Sequence, residues 1–282
     1  MRDQAAVGGA GQVDGRAEIG VVHAEGRSRL AHLYQRDPLR VLFPTPPAGQ
    51  LDAAVLVTTS GGLVAGDRLG IAIELGPDAR LHATAQAAEK IYRSLGRDAR
   101  IDLFLAAAER AWLEWLPPET IVFDEARLRR TARVALAPGA GFLGGEIVVL
   151  GRIARGERFT SGLLHDAWEL RRGGRLVWAD ALHLAGDLPR ISADPACLDG
   201  AVALATLILA DASAARALGP AREVIAASCV RGGATLPADG VLVARLLSPD
   251  AAALRRAYAD LAARLRALAR GLPERLPRLW HV

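Results

Sequence analysis

The chain has 282 residues, 51% of them hydrophobic, enough to bury one large core or two modest ones. The net charge is only +4 and the basic residues are scattered, which leaves no nucleic-acid footprint and predicts no DNA or RNA partner. Two cysteines, Cys197 and Cys229, form neither a CxxC pair nor a disulfide framework, in keeping with a reducing compartment and a cytoplasmic protein.

Residues 1–16 lack an apolar stretch of signal-peptide length and read as a disordered lead to a single domain over 17–282. That domain divides into a β-rich part, 17–188, and a part with helices plus two strands, 189–282. Runs from Ala53 to Thr59, Leu69 to Leu75, Arg80 to Ala85, Arg100 to Leu105, Thr120 to Asp124, Arg133 to Ala137 and Phe142 to Leu150 are separated by Gly, Pro and Asp turns. They recur at roughly the 8–12-residue spacing of all-β architectures. No strand alternates regularly with a helix, which argues against a doubly wound sheet and for a sandwich, barrel or stacked-strand solenoid.

A hairpin is predicted from Phe159 to Leu184, turning at Gly173 and Gly174. Its register places Leu164, Trp168 and Leu170 on the same face as Val177, Ala179 and Ala181. Beyond Leu188 the texture becomes alanine and leucine at helical spacing. Asp194 and Pro195 read as the start of one helix, with Leu198, Val202, Ala205 and Leu209 along its stripe. Ser248, Pro249 and Asp250 start another, carried by Leu254, Tyr258, Leu261, Leu265 and Leu268 and ended by Gly271 and Pro273. Between them, Arg222 to Val230 and Val241 to Leu247 read as strands. The run Ala201 to Ala210 falls short of the ~20 residues a membrane span needs, so no membrane is expected. The fold class is therefore mainly β, with many short strands in a β-helix-like or sandwich-like arrangement and two α-helices in the C-terminal third.

Three phrases break the β pattern: SGGLVAGD (Ser60 to Asp67), QAAEKIYRS (Gln86 to Ser94) and LEWLPPETIVFD (Leu113 to Asp124). With GEIVVLGR (Gly145 to Arg152), GERF (Gly156 to Phe159), the hairpin around Arg171 to Trp178 and the closing LPRLW (Leu276 to Trp280), they resemble the urease accessory protein D family, UreD or UreH. Order and spacing carry the likeness. One departure is Gly144 and Gly145, where many relatives carry bulkier residues.

The resemblance implies a β-helix-like scaffold without catalysis that assists nickel insertion into apo-urease. It would bind the urease apoprotein and, through the helical accessory protein UreF, the GTPase UreG. It also implies no tightly bound cofactor, with nickel in transit through the interior past Asp67 and Glu146. On family grounds Leu103 to Trp112, which propensity alone would score as helix, is read as a hairpin turn.

The residues themselves leave alternatives open. Asp67 closes a glycine turn and suits an Asx-turn acceptor as well as a path carboxylate. Glu146 shares a strand face with Phe142, Val148 and Leu150, while Leu143, Ile147 and Val149 cover the other. An unpaired carboxylate is costly there, so it requires a basic partner or a hydrated channel. Lys90 is the only lysine, and with Glu119 it reads as structural or path-associated, pairing with Glu89, Asp67 or Glu119. His23, His32, His82, His165, His183 and His281 are dispersed, so any nickel contact is expected to be weak, oxygen-rich and independent of any one histidine. There is no GxxxxGK[ST], GxSxG or HExxH. The alternative from another class is a carbohydrate-active β-solenoid enzyme using Glu114, Glu119 or Asp124.

Overall fold

The computed structural model describes residues 12–281. Its strands are Asp14–Ala24 (β1), Arg27–Arg36 (β2), Leu39–Leu42 (β3), Ala53–Thr58 (β4), Arg68–Leu75 (β5), Arg80–Ala85 (β6), Glu89–Ile91 (β7), Ala99–Ala107 (β8) and Trp112–Trp115 (β9). They continue with Thr120–Val122 (β10), Arg127–Leu136 (β11), Gly141–Leu150 (β12), Leu163–Arg172 (β13), Arg175–Ala185 (β14), Ala203–Ala210 (β15), Arg231–Ala238 (β16) and Val241–Ser248 (β17). The helices are Leu188–Ala193 (α1), Ala214–Ala227 (α2) and Ala251–Arg270 (α3). Most of the expected disordered lead lies outside the described residues, but β1 already begins at Asp14.

From β5 to β13 the chain winds as a solenoid, crossing from one sheet to the other and back. Each strand therefore pairs in parallel with the strand one coil later rather than with its neighbour in sequence. The first sheet runs β14-β13-β11-β8-β5-β1-β2, and the second runs β16-β17-β15-β12-β9-β6-β4-β3, with β7 and β10 beside it. The mainly β, stacked-strand expectation holds. Alternation sets which face is buried: in β8, Ala99, Ile101, Leu103 and Leu105 point inward while Arg100, Asp102 and Phe104 point out. Basic residues that are scattered in sequence are aligned by this stacking, with Arg68 paired to Arg100 and Arg100 to Arg129 on the outer face.

The molecule has three layers, the two sheets and then α2 with α3. One apolar cluster fills the space between the sheets and another the space between the second sheet and the helices. All ten residues of β12 are buried, because Phe142, Val148 and Leu150 face the first cluster and Leu143, Ile147 and Val149 the second. At Gly145 a Cβ would fall 1.9 Å from the Thr206 carbonyl oxygen of β15, so this close approach of backbones requires glycine.

Several sequence expectations are corrected. The apolar stripe Val202 to Leu209 is not a helix but β15, buried on both faces between β12 and β17. A continuous apolar run of this length has no periodicity that separates buried strand from buried helix. The Asp194–Pro195 start lies just past the short α1, which is capped instead by Asp187, whose side chain accepts the Arg190 N–H at 3.1 Å. Arg222 to Ala227 belongs to α2 rather than a strand. Pro220 lies inside that helix and reads in sequence as a breaker, yet Ala214, Ala217, Ala221 and Ile225 form its buried stripe. Leu103 to Trp112 is no hairpin, since β8 and β9 lie in different sheets.

The β13–β14 hairpin does turn at Gly173 and Gly174, with φ of 56° and 80°. A bulge between Leu170 and Arg171 shifts its register, so Leu164, Trp168 and Leu170 share their face with Leu184, Asp180 and Trp178 instead of Val177, Ala179 and Ala181.

α3 starts where expected. Asp250 accepts the backbone N–H groups of Ala252 and Ala253 at 2.8 and 3.1 Å. Asp250→Ala is expected to lower stability by about 1 kcal/mol, read as a shifted denaturant midpoint with an unchanged slope. No helix among the described residues is long and apolar enough to cross a membrane.

Candidate functional site between the sheets

Two polar links cross the apolar space between the sheets. Arg130 on β11 and Asp166 on β13 are paired in register, and the guanidinium grips the carboxylate with two hydrogen bonds, Nε to Oδ1 at 2.9 Å and Nη2 to Oδ2. Its Nη1 then reaches the other sheet and donates to Thr120 Oγ1 on β10 at 3.0 Å. Trp168 on β13 donates its indole N–H to Glu146 Oε2 on β12. Register explains the Arg130–Asp166 pair, whose strands stack one coil apart, while the bonds to Thr120 and Glu146 cross from one sheet to the other.

The links border a cavity of about 60 Å³, room for several water molecules at about 10–15 Å³ each. Its walls are largely apolar, with Leu39, Leu56, Ile71, Ile101, Leu103 and Trp115 among them. Thr58, Glu89, Thr120, Arg130, Glu146 and Trp168 supply the polar atoms.

Burial raises the Glu146 carboxyl to about 8, reinforced by the negative charge of Asp166 and only partly opposed by Arg130. Burial also raises Glu89, against the hydrogen bond that its Oε2 accepts from Thr58 Oγ1 at 2.6 Å. Desolvation lowers the Arg130 pKa, but Asp166 outweighs it and the net displacement is upward, so the guanidinium stays charged. The cavity thus holds one fixed cation and two carboxyls that part with their protons reluctantly. A divalent cation binding Glu146 there would have to displace its proton, which makes for a weak, reversible hold.

On the far side of the second sheet, the Tyr258 hydroxyl of α3 is buried without a hydrogen-bond partner among the described residues. It sits where a Cβ on Gly145 would come within 2.9 Å of it. Burial, and then the charge of Glu146, raise its pKa well above the ordinary phenol. Gly145 therefore lets a polar group of the helical layer come up to the strand that carries Glu146.

The other predicted residues lie elsewhere. Asp67 is buried and holds the glycine turn, Oδ1 accepting Val13 N–H at 3.0 Å and Oδ2 Val64 N–H at 2.9 Å. Glu119 Oε1 faces Arg255 at 3.4 Å, on the side of α3. Lys90 is exposed, and Glu89 takes its backbone N–H at 3.2 Å rather than its ammonium.

Glu114, Glu119 and Asp124, the acids of the glycosidase alternative, share no cleft. Glu114 is wholly enclosed between the second sheet and α3. Asp124 receives the Thr160 and Ser161 amides at 2.7 and 3.0 Å; burial works against its charge, but these bonds outweigh it and hold its carboxyl low.

Sequence reasoning found Glu146 but missed Arg130, Asp166 and Glu89 as its surroundings. The one available signal was the alternation of β11 and β13, which turns Arg130 and Asp166 inward among apolar neighbours.

A family model described as UreD urease accessory protein matches residues 13–281. The chain is 46% identical over 274 residues to a urease accessory protein UreD of Magnetococcus marinus, covering 96% of this chain and 94% of that one. It is 42% identical over 269 residues to a urease accessory protein UreD of Rhodopseudomonas palustris, with coverages of 95% and 93%. A urease accessory protein UreD of a Methylobacterium species is 44% identical over 273 residues, with coverages of 95% and 94%.

Proposed function

Because the chain belongs to the UreD family of urease accessory proteins, we propose that it acts without catalysis, as a scaffold that binds apo-urease and lets nickel pass through its interior during insertion. UreF would be its helical partner and UreG, the nickel-carrying GTPase, would be recruited through UreF. The observation that carries this reading is the inter-sheet cavity bordered by Glu146, which burial holds at a pKa of about 8. A group that binds a cation only by giving up a proton is suited to passing metal on, since a path that binds tightly does not release. No cofactor is retained in this account; nickel is the cargo.

Within the same reading Glu89 shares the cavity with Glu146. Asp67 fixes the turn that leads into β5, whose Leu69 and Ile71 form part of the wall. Lys90 and Glu119 flank the same region, on and next to β7 and β10.

The test is co-expression of the urease structural and accessory genes with and without this chain, in cytoplasmic extract. Urease activity and urease-bound nickel should both fall to background without it, and UreF and apo-urease should co-purify with it. Full activity and nickel content in its absence would sink the reading.

A further inference from the structure

The hairpin that closes the first sheet brings together two histidines that the sequence keeps apart. His165 on β13 and His183 on β14 are direct cross-strand partners. Both belong to the outer face: residues two apart share a face, and the intervening Leu164 and Leu184 point into the core. Their Nδ1 atoms are 3.3 Å apart and their ring planes meet at 65°. Two of the six histidines that spacing leaves dispersed are thus brought side by side by the hairpin register.

We infer that His165 and His183 form a bidentate surface site for a borderline first-row divalent cation such as Cu²⁺, Ni²⁺ or Zn²⁺. Imidazole nitrogen is a preferred ligand for these ions. With metal–nitrogen bonds of about 2.0–2.1 Å, two ligands at a tetrahedral angle lie about 3.3–3.4 Å apart, and two at a right angle about 2.9 Å. The separation observed fits the first case and needs only a small rotation for the second.

Without a metal, the pair has a single N–H···N hydrogen bond in contact with solvent, a contribution of about 1 kcal/mol or less. The neighbouring cation, Arg129 on β11, is engaged by Asp98 at 2.6 Å, which reduces its repulsion of an incoming ion. No third His, Cys, Asp or Glu completes a cluster among the described residues, so water takes the remaining positions and the ion stays exchangeable. The site lies apart from the inter-sheet cavity and does not depend on the function proposed above.

The test uses the untagged full chain titrated with NiCl₂ by calorimetry and, separately, loaded with Cu²⁺ for electron paramagnetic resonance. One ion should bind per chain, and the copper spectrum should show coupling to two imidazole nitrogens. His165→Gln and His183→Gln should each weaken binding by roughly a hundredfold, because the second bond of a chelate forms at high effective concentration. Each should reduce the copper coupling to one nitrogen, with the thermal midpoint unchanged. His23→Gln should alter nothing. Loss in only one of the two variants, unchanged isotherms in both, or a copper spectrum without nitrogen coupling would overturn the inference.

Discussion

Glu114→Ala is expected to destabilise the protein by about 3–5 kcal/mol, against a total stability of about 5–15 kcal/mol for an ordinary domain. Glu114 is fully buried beneath α3, where Arg266 grips it with Nε to Oε1 and Nη2 to Oε2, each at 3.0 Å. His82 Nδ1 lies 2.7 Å from Oε2, and Trp112 donates its indole N–H to Oε1 at 3.1 Å. Arg266 also binds Gln50 and the Arg275 carbonyl, at 2.7 and 2.9 Å. This one carboxylate thus ties β6 and β9 to α3 and to the closing segment that carries Trp280.

Removing the carboxylate leaves a guanidinium buried without its counter-charge, which is the source of the cost. Replacing both partners, Glu114→Leu with Arg266→Met, removes the orphan and should recover much of the loss in a denaturant midpoint; simple additivity of the two single effects would contradict this account. Burial opposes the charge on Glu114, but His82 and Arg266 outweigh it and depress its pKa. The contribution is therefore present above the ordinary carboxylate range and is lost as pH falls through the depressed folded value, so the cluster contributes to acid unfolding.

Glu146 carries the opposite sign. Its folded value of about 8 lies above the ordinary 4.5, so the fold favours the protonated carboxyl. That contribution is fully present below the unfolded value and is lost as pH rises through about 8. The wild-type protein should lose several kcal/mol between about pH 5 and about pH 9 relative to Glu146→Gln, each pKa unit being worth about 1.4 kcal/mol. At about pH 5 and below the variant should match the wild type, because glutamine has the shape of the protonated acid and its oxygen still accepts from Trp168, and toward neutrality the variant should be the more stable of the two. Thermal midpoints across this range check the prediction; parallel curves for the two proteins would refute it.

Where the chain spoke through alternation, its structure was legible. β8, β12 and the stripe of α3 followed from the spacing of apolar residues, and the two apolar faces around Glu146 were assigned correctly. β15 was not legible because it is buried on both sides and has no polar face to mark its period. α2 was hidden by Pro220, and the β14 register by a bulge that has no distinctive residue. The cavity was half legible: an acid on an apolar strand face is anomalous in any context, whereas Arg130, Asp166 and Glu89 become its neighbours only through coils stacked in parallel. His165 and His183 meet for the same kind of reason, since a hairpin register sets them opposite each other.

Glu146 is proposed to serve nickel transfer rather than the fold. The most direct test of this is Glu146→Gln co-expressed with urease and the accessory proteins near neutral pH, with urease activity, urease-bound nickel and recovered accessory complex measured on the same samples. Glutamine keeps the shape and the Trp168 bond and loses only the ability to exchange a proton for a metal ion. Activity and nickel are expected to fall severalfold while complex recovery stays at the wild-type value and the thermal midpoint does not fall. Asp67→Ala provides the contrast, because it releases the Val13 and Val64 amides and should reduce complex recovery along with activity. Undiminished activation by Glu146→Gln, or a fall only in proportion to lost complex, would contradict the claim.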